Sequence, residues 1–312
     1  MNVLLFRDIS ASTLSSLEAE FPSCAFRATT DPALAEAWLG WAEAIFGNLP
    51  ATTIQRAPRL RWLQIVSAGF DEYRTLQASP LAVTTAHGVH APVIAQHVLL
   101  MFLHFVRGQP HFSVCQRERV WDRRPAIPQD PAALTVGLVG YGAVGKEIAR
   151  LLRPLGTRVV ATKLSAAEKP AGLHELYPWD RLDDMLAACD HVVITLPLTD
   201  STKGLFDAAR LARLKRGAVL HNIARGQLVD EPALTTLLAE GRLGGAALDV
   251  FAQEPLAPES PLWAMPNVVI TPHLAGHHRG LAGLLLERFK SNLQRYLRHE
   301  PLQHVADFAR GY

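Results

Sequence analysis

Arg225, Glu254 and His273 are of three residue types that can act together on a carbonyl compound. An arginine offers a planar pair of N–H groups to a carboxylate, and a histidine can stabilise and then protonate an oxygen that gains negative charge. A glutamate bonded to the other ring nitrogen would hold that imidazole in place and favour its protonated form. Each residue follows a separate predicted strand, so the three converge if those strands share one parallel sheet. Taken singly, they have ordinary interpretations as a surface arginine, a loop acid and a core histidine.

A glycine-rich loop, GYGAVG, stands directly after the apolar run TVGLV and directly before an amphipathic helical pattern. Such a loop provides a tight turn, lets the backbone approach a pyrophosphate and presents a helix N-terminus to the anion. The alternative is a glycine turn that serves packing only. The context favours dinucleotide binding by Gly140, Gly142, Ala143, Val144 and Gly145.

The residues after the next strand predict which dinucleotide binds. An acid is expected there if the cofactor is NAD, because it accepts hydrogen bonds from both ribose hydroxyls. This chain instead has Lys163, with hydroxyl groups on Thr162 and Ser165. A lysine pairs with a 2′-phosphate, so the sequence favours NADP(H); the alternative is a solvated lysine beside a site that accepts NAD(H).

Further residues at strand ends complete the predicted cofactor site, and Asp249 is expected to accept a hydrogen bond from the nicotinamide amide. With Arg225 and His273 as substrate-binding residues, the reaction predicted is hydride transfer between a nicotinamide cofactor and a 2-oxo acid. The other predicted cofactor contacts are Leu196, Pro197, Thr202, Ile223, Ala224 and Gly276.

The elements that must position these residues alternate between strand and helix patterns, which indicates an α/β protein with parallel sheets. A long apolar helix, Ala91–Val106, is expected to connect two domains. The predicted strands are Val3–Phe6, Ala44–Phe46, Trp62–Ser67 and Ala82–Thr84, followed by Leu134–Val139, Arg158–Thr162, Val192–Leu196, Ala218–Asn222, Ala246–Val250 and Val268–Thr271.

Composition excludes several classes of function. The chain has 312 residues, 31 basic and 29 acidic, and its net charge of +2 does not suggest nucleic acid or a membrane surface as partner. Its three scattered cysteines suit a cytoplasmic protein. Although His273, His277 and His278 are close together, they lack partners at ligand spacing, so no metal site is expected.

Several segments, in this order, resemble the D-isomer-specific 2-hydroxyacid dehydrogenase family. In that family an arginine, a glutamate and a histidine hold the positions matched here by Arg225, Glu254 and His273. The segments that carry the resemblance are GLVGYGAVG, TLPLTDST, NIARGQLVDEPAL, GGAALDVFAQEPL and NVVITPHLAG, together with VSAGFDEY, HGVHAPVIAQHVL and NLQRYLRHEPLQHVADFARGY.

The resemblance implies two Rossmann-like domains, a flavodoxin-like discontinuous substrate domain (residues 1–100 and 283–312) and a dinucleotide-binding domain (residues 101–282). It also implies a homodimer, and a substrate carboxylate bound by the backbone amides of Ser67, Ala68 and Gly69. Lys163 resembles the family's NADP-preferring reductases. Trp121 has two open interpretations, closure of the partner's site or a place in the core.

The function expected is therefore NADPH-dependent reduction of small 2-oxo acids, of the glyoxylate and hydroxypyruvate type, to D-2-hydroxy acids. Two alternatives stay open: an NAD-preferring dehydrogenase of the same family, and a dimeric NAD(P)-sensing protein that resembles the family's corepressors.

Overall fold

The computed structural model describes residues 1–123, 128–164 and 168–311. The chain forms two compact units, one of Met1–Val89 together with the chain from Arg279 onwards, and one of His90–His278. The strands are β1 Asn2–Leu5, β2 Ala25–Ala28, β3 Ala44–Phe46, β4 Trp62–Gln64, β5 Ala82–Thr84, β6 Thr135–Val139, β7 Arg158–Thr162, β8 Glu175–Tyr177, β9 His191–Ile194, β10 Val219–Asn222, β11 Gly245–Leu248 and β12 Val268–Ile270. The α-helices are α1 Ala11–Glu20, α2 Pro32–Ala37, α3 Ala51–Ile54, α4 Ala91–Val106, α5 Gln109–Glu118, α6 Ala143–Leu152, α7 Leu182–Ala188, α8 Ala208–Arg213, α9 Glu231–Ala239 and α10 Leu281–Leu297.

The first unit has a five-stranded parallel sheet in the order β2-β1-β3-β4-β5. Helix α10 returns to this sheet and buries Phe289, whose ring stacks on Phe46 and Trp62 at centroid distances of 4.6 and 5.4 Å. The buried indole of Trp62 donates a hydrogen bond to Thr84 Oγ1 at 2.8 Å. The last segment of the chain is therefore part of the core of the first unit.

The second unit has a seven-stranded parallel sheet in the order β12-β11-β10-β9-β6-β7-β8. Strand order reverses between β6 and β9, which makes this a doubly wound sheet with its switch point at the end of β6. The predicted α/β class with two parallel-sheet domains is confirmed. Each of the six strands predicted for this sheet is found, and β8 is an additional strand at its edge.

Helix α4 belongs to the second unit. Its residues Ala95, Val98 and Phe102 are buried in the same apolar cluster as Leu138 of β6 and Ile148 of α6. The predicted domain boundaries, 100/101 and 282/283, differ from those between the compact units, 89/90 and 278/279. The first difference arises because residues from both halves of α4, Ala95 and Val106, are buried in the apolar cluster of the second unit, so the helix does not divide at its middle.

Among the described residues, no single helix is long and apolar enough to cross a membrane, although the bent pair formed by α4 and α5 meets that length and composition together.

Candidate active site

The glycine loop connects β6 to α6 at the switch point of the second sheet. Gly140 has a φ of 105°, and a Cβ there would lie 2.8 Å from Thr195 Oγ1, so both backbone conformation and space require glycine. Thr195 Oγ1 donates a hydrogen bond to the Gly140 carbonyl at 2.9 Å. A Cβ at Gly145 would lie 2.8 Å from the same carbonyl oxygen. These contacts pack the loop closely against the first turn of α6.

The loop fits a dinucleotide pyrophosphate. Gly142 precedes α6 without a side-chain cap, and a Cβ built on it would meet no atom within 4 Å. Open space thus lies in front of a ten-residue helix whose N-terminal dipole attracts anions. Ala143 and Val144, the first two residues of this helix, are half-buried.

Lys163 stands beside this loop, directly after β7. The Gly140 amide donates a hydrogen bond to the carbonyl of Thr162 at 3.1 Å, so the two strand ends are joined. The Lys163 side chain is half-buried. Thr162 is fully buried and, within the described chain, its hydroxyl has no hydrogen-bond partner, so its observed contact with the cofactor loop is through its backbone. Ser165 lies outside the described residues.

The segment after β9 has Leu196 and Pro197 half-buried at the edge of the sheet. Thr202 is buried and holds this segment together: its hydroxyl donates to the Pro197 carbonyl at 2.7 Å and accepts from the Thr199 amide at 2.8 Å. Thr202 therefore shapes the segment, and its predicted contact with a cofactor stays a prediction.

Arg225 is held by the end of β10. The Asn222 side chain donates to the Arg225 carbonyl at 2.9 Å and accepts from the Ala224 amide at 3.2 Å, which closes the turn through Ile223. Arg225 Nη1 donates to the Ala224 carbonyl at 2.8 Å, and the side chain is only half-buried. The turn thus presents a guanidinium at the carboxyl end of the sheet.

Glu254 and His273 come from the ends of two further strands, β11 and β12, and contact each other. Glu254 Oε2 lies 2.8 Å from His273 Nδ1, and Glu254 Oε1 accepts the Phe251 amide at 3.0 Å. Because a carboxylate only accepts hydrogen bonds, Nδ1 carries a proton and Nε2 is left to act on a substrate. Both side chains are partly exposed, at 37% and 51%. The structure therefore brings together the acid and the histidine that the sequence predicted as a pair.

Asp249 has a role that the sequence did not predict. Its side chain is 2% exposed and accepts hydrogen bonds from Thr271 Oγ1 (2.6 Å) and from the amides of Leu274 (2.9 Å) and Ala275 (3.0 Å). Its carbonyl also accepts the His273 amide at 2.8 Å. Asp249 thus organises the loop that carries His273, and its contact with a nicotinamide amide stays a prediction.

This loop is attached to α4 at two points. His97 Nε2 lies 3.3 Å from Thr271 Oγ1 and must donate to it, because the only hydroxyl proton is given to Asp249. His90 Nδ1 lies 3.2 Å from the carbonyl of Gly276. Burial lowers the pKa of His97, and the charge of Asp249 opposes that shift. The role of His97 was not predicted, because a histidine in an apolar helix usually belongs to the core.

The loop predicted to bind the substrate carboxylate belongs to the first unit, where it follows β4. Asn48 Oδ1 accepts the Val66 amide at 2.9 Å, and Ser67 Oγ donates to the Gly69 carbonyl at 2.8 Å. Ala68 is exposed at the tip of the loop. The loop is therefore braced by side chains and open to solvent.

A doubly wound sheet with a glycine loop at its switch point, and a histidine–glutamate pair at its carboxyl end, defines a nicotinamide-dependent dehydrogenase. Comparison with known proteins gives the family. Residues 99–275 match the family described as D-isomer specific 2-hydroxyacid dehydrogenase, NAD binding domain. This chain belongs to that family and is an NAD(P)-dependent D-2-hydroxyacid dehydrogenase, which confirms the resemblance seen in the sequence.

Individual relatives match most of the chain. The glyoxylate/hydroxypyruvate reductase B of Yersinia enterocolitica is 31% identical over 290 residues, which cover 88% of this chain and 87% of that protein. The glycerate dehydrogenase of Methylorubrum extorquens is 29% identical over 279 residues, 85% of each. Among solved structures, the NADPH-dependent glyoxylate/hydroxypyruvate reductase of Sinorhizobium meliloti, in complex with NADP and sulfate, superposes with a TM-score of 0.87 at 30% identity, and the match covers 100% of this chain and 99% of that one.

Proposed function

We propose that this protein reduces small 2-oxo acids of the glyoxylate and hydroxypyruvate type to D-2-hydroxy acids, with NADPH as the preferred reductant. The observation that carries the proposal is the 2.8 Å contact between Glu254 Oε2 and His273 Nδ1, with Arg225 at the end of the adjacent strand β10. Relatives named as glyoxylate/hydroxypyruvate reductases support the substrate class.

In the proposed mechanism each residue has one task. Arg225 binds the substrate carboxylate through its planar guanidinium. Substrate binding by the amides of Ser67–Gly69 stays a prediction. His273, protonated at both ring nitrogens, stabilises the carbonyl oxygen through Nε2 and then gives it that proton. Glu254 holds the ring through Nδ1 and stabilises its positive charge. When bound, the reduced nicotinamide supplies the hydride.

The residues that would hold the cofactor are the glycine loop and Lys163. The ammonium of Lys163 is the expected partner of a 2′-phosphate, which a carboxylate at this position would repel. The solved relatives bound to NADP support this preference.

The test is a comparison of kcat/KM for glyoxylate and hydroxypyruvate with NADPH and with NADH. Wild type should prefer NADPH, and Lys163→Asp should remove or reverse that preference, because it replaces an attractive charge by a repulsive one. Lys203→Asp makes the same charge change at an exposed position of the second unit and should keep the wild-type ratio.

Two results would contradict the proposal. Equal rates with both cofactors, unchanged in Lys163→Asp, would show that Lys163 does not select the cofactor. Absence of turnover with every 2-oxo acid would reject the reductase and favour a cofactor-sensing protein.

We also propose that two copies of the chain associate through the α4–α5 region. Three apolar side chains there are exposed in the single chain: Leu100 (61%), Val120 (52%) and Trp121 (89%). Large apolar side chains exposed in this way are typical of a surface that another protein covers. The interpretation of Trp121 as a core residue is wrong, and its contribution to a partner's site stays a prediction.

A further inference from the structure

One face of helix α4 contacts both ends of the loop that follows β12. We call this loop, residues 271–276, the His273 loop. His97 Nε2 lies 3.3 Å from Thr271 Oγ1, and His90 Nδ1 lies 3.2 Å from the carbonyl oxygen of Gly276. The two histidines are seven residues apart, which is about two helical turns, so they share a face of the helix. Helix α4 therefore holds the loop where it begins and where it ends.

The hydrogen bonds between His97 and the His273 loop form a chain that runs in one direction. The hydroxyl of Thr271 donates its single proton to Asp249 Oδ1 at 2.6 Å, so its oxygen accepts from His97. The Asp249 carboxylate also accepts the amides of Leu274 and Ala275, at 2.9 and 3.0 Å. Hydrogen bonds that follow one another in this way polarise each other, so each is stronger when the others are in place. His97 thus donates into a chain that ends on the main chain of the His273 loop.

Asp249 holds the main chain on both sides of the His273 side chain. The amide of Leu274, the next residue, donates to Asp249 Oδ1, and the amide of His273 itself donates to the Asp249 carbonyl at 2.8 Å. His273 Nδ1 lies 2.8 Å from Glu254 Oε2. Because Asp249 holds the main chain at this point, a shift of its carboxylate would move the imidazole relative to Glu254.

Another histidine on α4 shows that burial in this helix does not by itself place an imidazole against the loop. His104 lies a further seven residues along the helix and, like His97, is half-buried. Burial lowers the pKa of both imidazoles. The ring of His104, however, contacts Phe105 of the same helix at a centroid distance of 5.5 Å, whereas that of His97 donates to Thr271. The two histidines therefore differ in what they contact, and His104 is a matched control for His97.

We propose that His97 is a positioning residue for the reaction. Through Thr271 and Asp249 it holds the His273 loop in the conformation in which the imidazole of His273 can give its proton to the substrate oxygen. The inference rests on the proposed function, because it takes His273 as the proton donor. No bond to hydrogen or carbon changes at His97 during the reaction, and its effect is on the orientation of His273 alone.

The experiment measures kcat for glyoxylate reduction by NADPH, expressed per NADPH-binding site so that unfolded protein is not counted. His97→Leu removes the donor and should lower kcat by about tenfold, the effect of losing one hydrogen bond. His97→Gln should restore most of the loss, because its amide nitrogen is as many bonds from Cα as Nε2 and keeps an N–H donor. His104→Leu makes the same change two turns further along α4 and should keep the wild-type kcat.

Two further measurements separate positioning from a general loss of structure. The solvent deuterium isotope effect on kcat should be larger in His97→Leu than in wild type, because proton donation by a misplaced His273 then limits the rate. Thr271→Val interrupts the chain at its next link, and it also serves if His97→Leu does not fold. Adding His97→Leu to Thr271→Val should lower kcat no further, because the two side chains act through one chain.

Three results would overturn this inference while wild-type reduction of glyoxylate upheld the proposed function. The first is a wild-type kcat in His97→Leu. The second is a fall in kcat that His97→Gln does not restore and that leaves the isotope effect unchanged. The third is a double variant in which the two losses multiply, since the side chains would then act independently. If wild type reduces no 2-oxo acid, the proposed function fails and this inference fails with it.

Discussion

His273 occupies a backbone conformation that its residue type seldom adopts. Its φ is 51°, in the left-handed region, where a residue other than glycine costs about 1–3 kcal/mol. The surrounding hydrogen bonds maintain it: the His273 amide donates to the Asp249 carbonyl, and the Asp249 carboxylate binds the next two amides. The loop thus turns the imidazole towards Glu254. Strain of this kind is common where a side chain must be held in one orientation.

Replacing His273 by asparagine should abolish most turnover without disturbing cofactor binding. Asparagine tolerates the positive φ, so the variant tests the imidazole rather than the turn. We expect kcat to fall by about 10²–10⁴, the usual contribution of a general acid. Glu254→Gln keeps an acceptor for Nδ1 but removes the negative charge, and should lower kcat by less.

Two quantities are measured for each variant: kcat at steady state, and the affinity for NADPH from the fluorescence of the bound cofactor. His299→Asn, an exposed histidine that also has a positive φ, is the matched control and should behave as wild type. A His273→Asn variant that retains wild-type kcat would remove this residue from the mechanism.

At the scale of secondary structure, the sequence missed two strands, β2 and β8, and each lies at one edge of its sheet, whereas the strands at the opposite edges, β5 and β12, were predicted. Strand β2 (AFRA) alternates exposed and buried residues at one edge of the first sheet, and β8 (ELY) is only half-buried at the edge of the second. Neither has the continuous apolar run that revealed β6 or β9. Edge strands gain their conformation from the neighbouring strand, and a single sequence does not show which neighbour that is.

The same limit applies inside the site. The residue types of Arg225, Glu254 and His273 were sufficient to predict their grouping, because parallel strands bring their carboxyl ends to one edge. The hydrogen-bond partners of Asp249 and Thr202 were not predictable, because each depends on a loop whose path is set by tertiary contacts. The spacing of residues along the sequence thus predicts which side chains lie near each other. The tertiary packing of the loops determines which of their atoms form hydrogen bonds.

Gly226 shows how closely two elements of the site pack. A Cβ at this position would overlap the backbone of Phe251 and Ala252, so the turn after Arg225 and the segment that leads to Glu254 pack main chain against main chain. Gly226→Ala must separate them. We expect a loss of stability of about 1–3 kcal/mol from overpacking, with a fall in kcat because Arg225 and Glu254 move apart.

Thermal unfolding and kcat, measured on the same preparation, test this prediction. Gly283→Ala is the control: it lies in helix α10, a Cβ there meets nothing within 4 Å, and alanine should stabilise the helix slightly. Equal melting temperatures for Gly226→Ala and wild type would mean that the two segments can separate without cost.

At the scale of the whole molecule, the second unit buries an unusual polar pair beneath α4. His191 Nδ1 lies 2.9 Å from His221 Nε2, and both residues are almost fully buried. Phe102 and Phe105 cover them from α4 with ring contacts at 4.8 and 6.2 Å. Within the described chain, His221 Nδ1 has no hydrogen-bond partner. The pair must therefore be neutral, with one ring donating to the other.

This pair should make the stability of the protein depend on pH. Burial lowers the pKa of His191 to about 4, with Asp190 opposing the shift, and the pKa of His221 is lowered well below its ordinary value by burial and by the charges of His191 and His97. In the unfolded chain both histidines take up protons below pH 6.5. The histidine pair therefore does not reduce the free energy of unfolding above pH 6.5. As the pH falls from 6.5 towards 4, the free energy of unfolding falls by at most about 1.4 kcal/mol per pH unit for each histidine.

Urea unfolding followed by circular dichroism between pH 8 and pH 5 measures this loss. The double variant His191→Leu and His221→Leu should be close to wild type in stability at pH 8, because an apolar pair of similar size replaces both hydrogen-bonding partners. Below pH 6.5 its unfolding midpoint should fall less steeply than that of wild type, since neither leucine binds a proton in the unfolded chain. The exposed-site variant His299→Asn should keep the wild-type slope. Parallel slopes for the double variant and wild type would instead mean that the acid sensitivity of the protein does not come from this histidine pair.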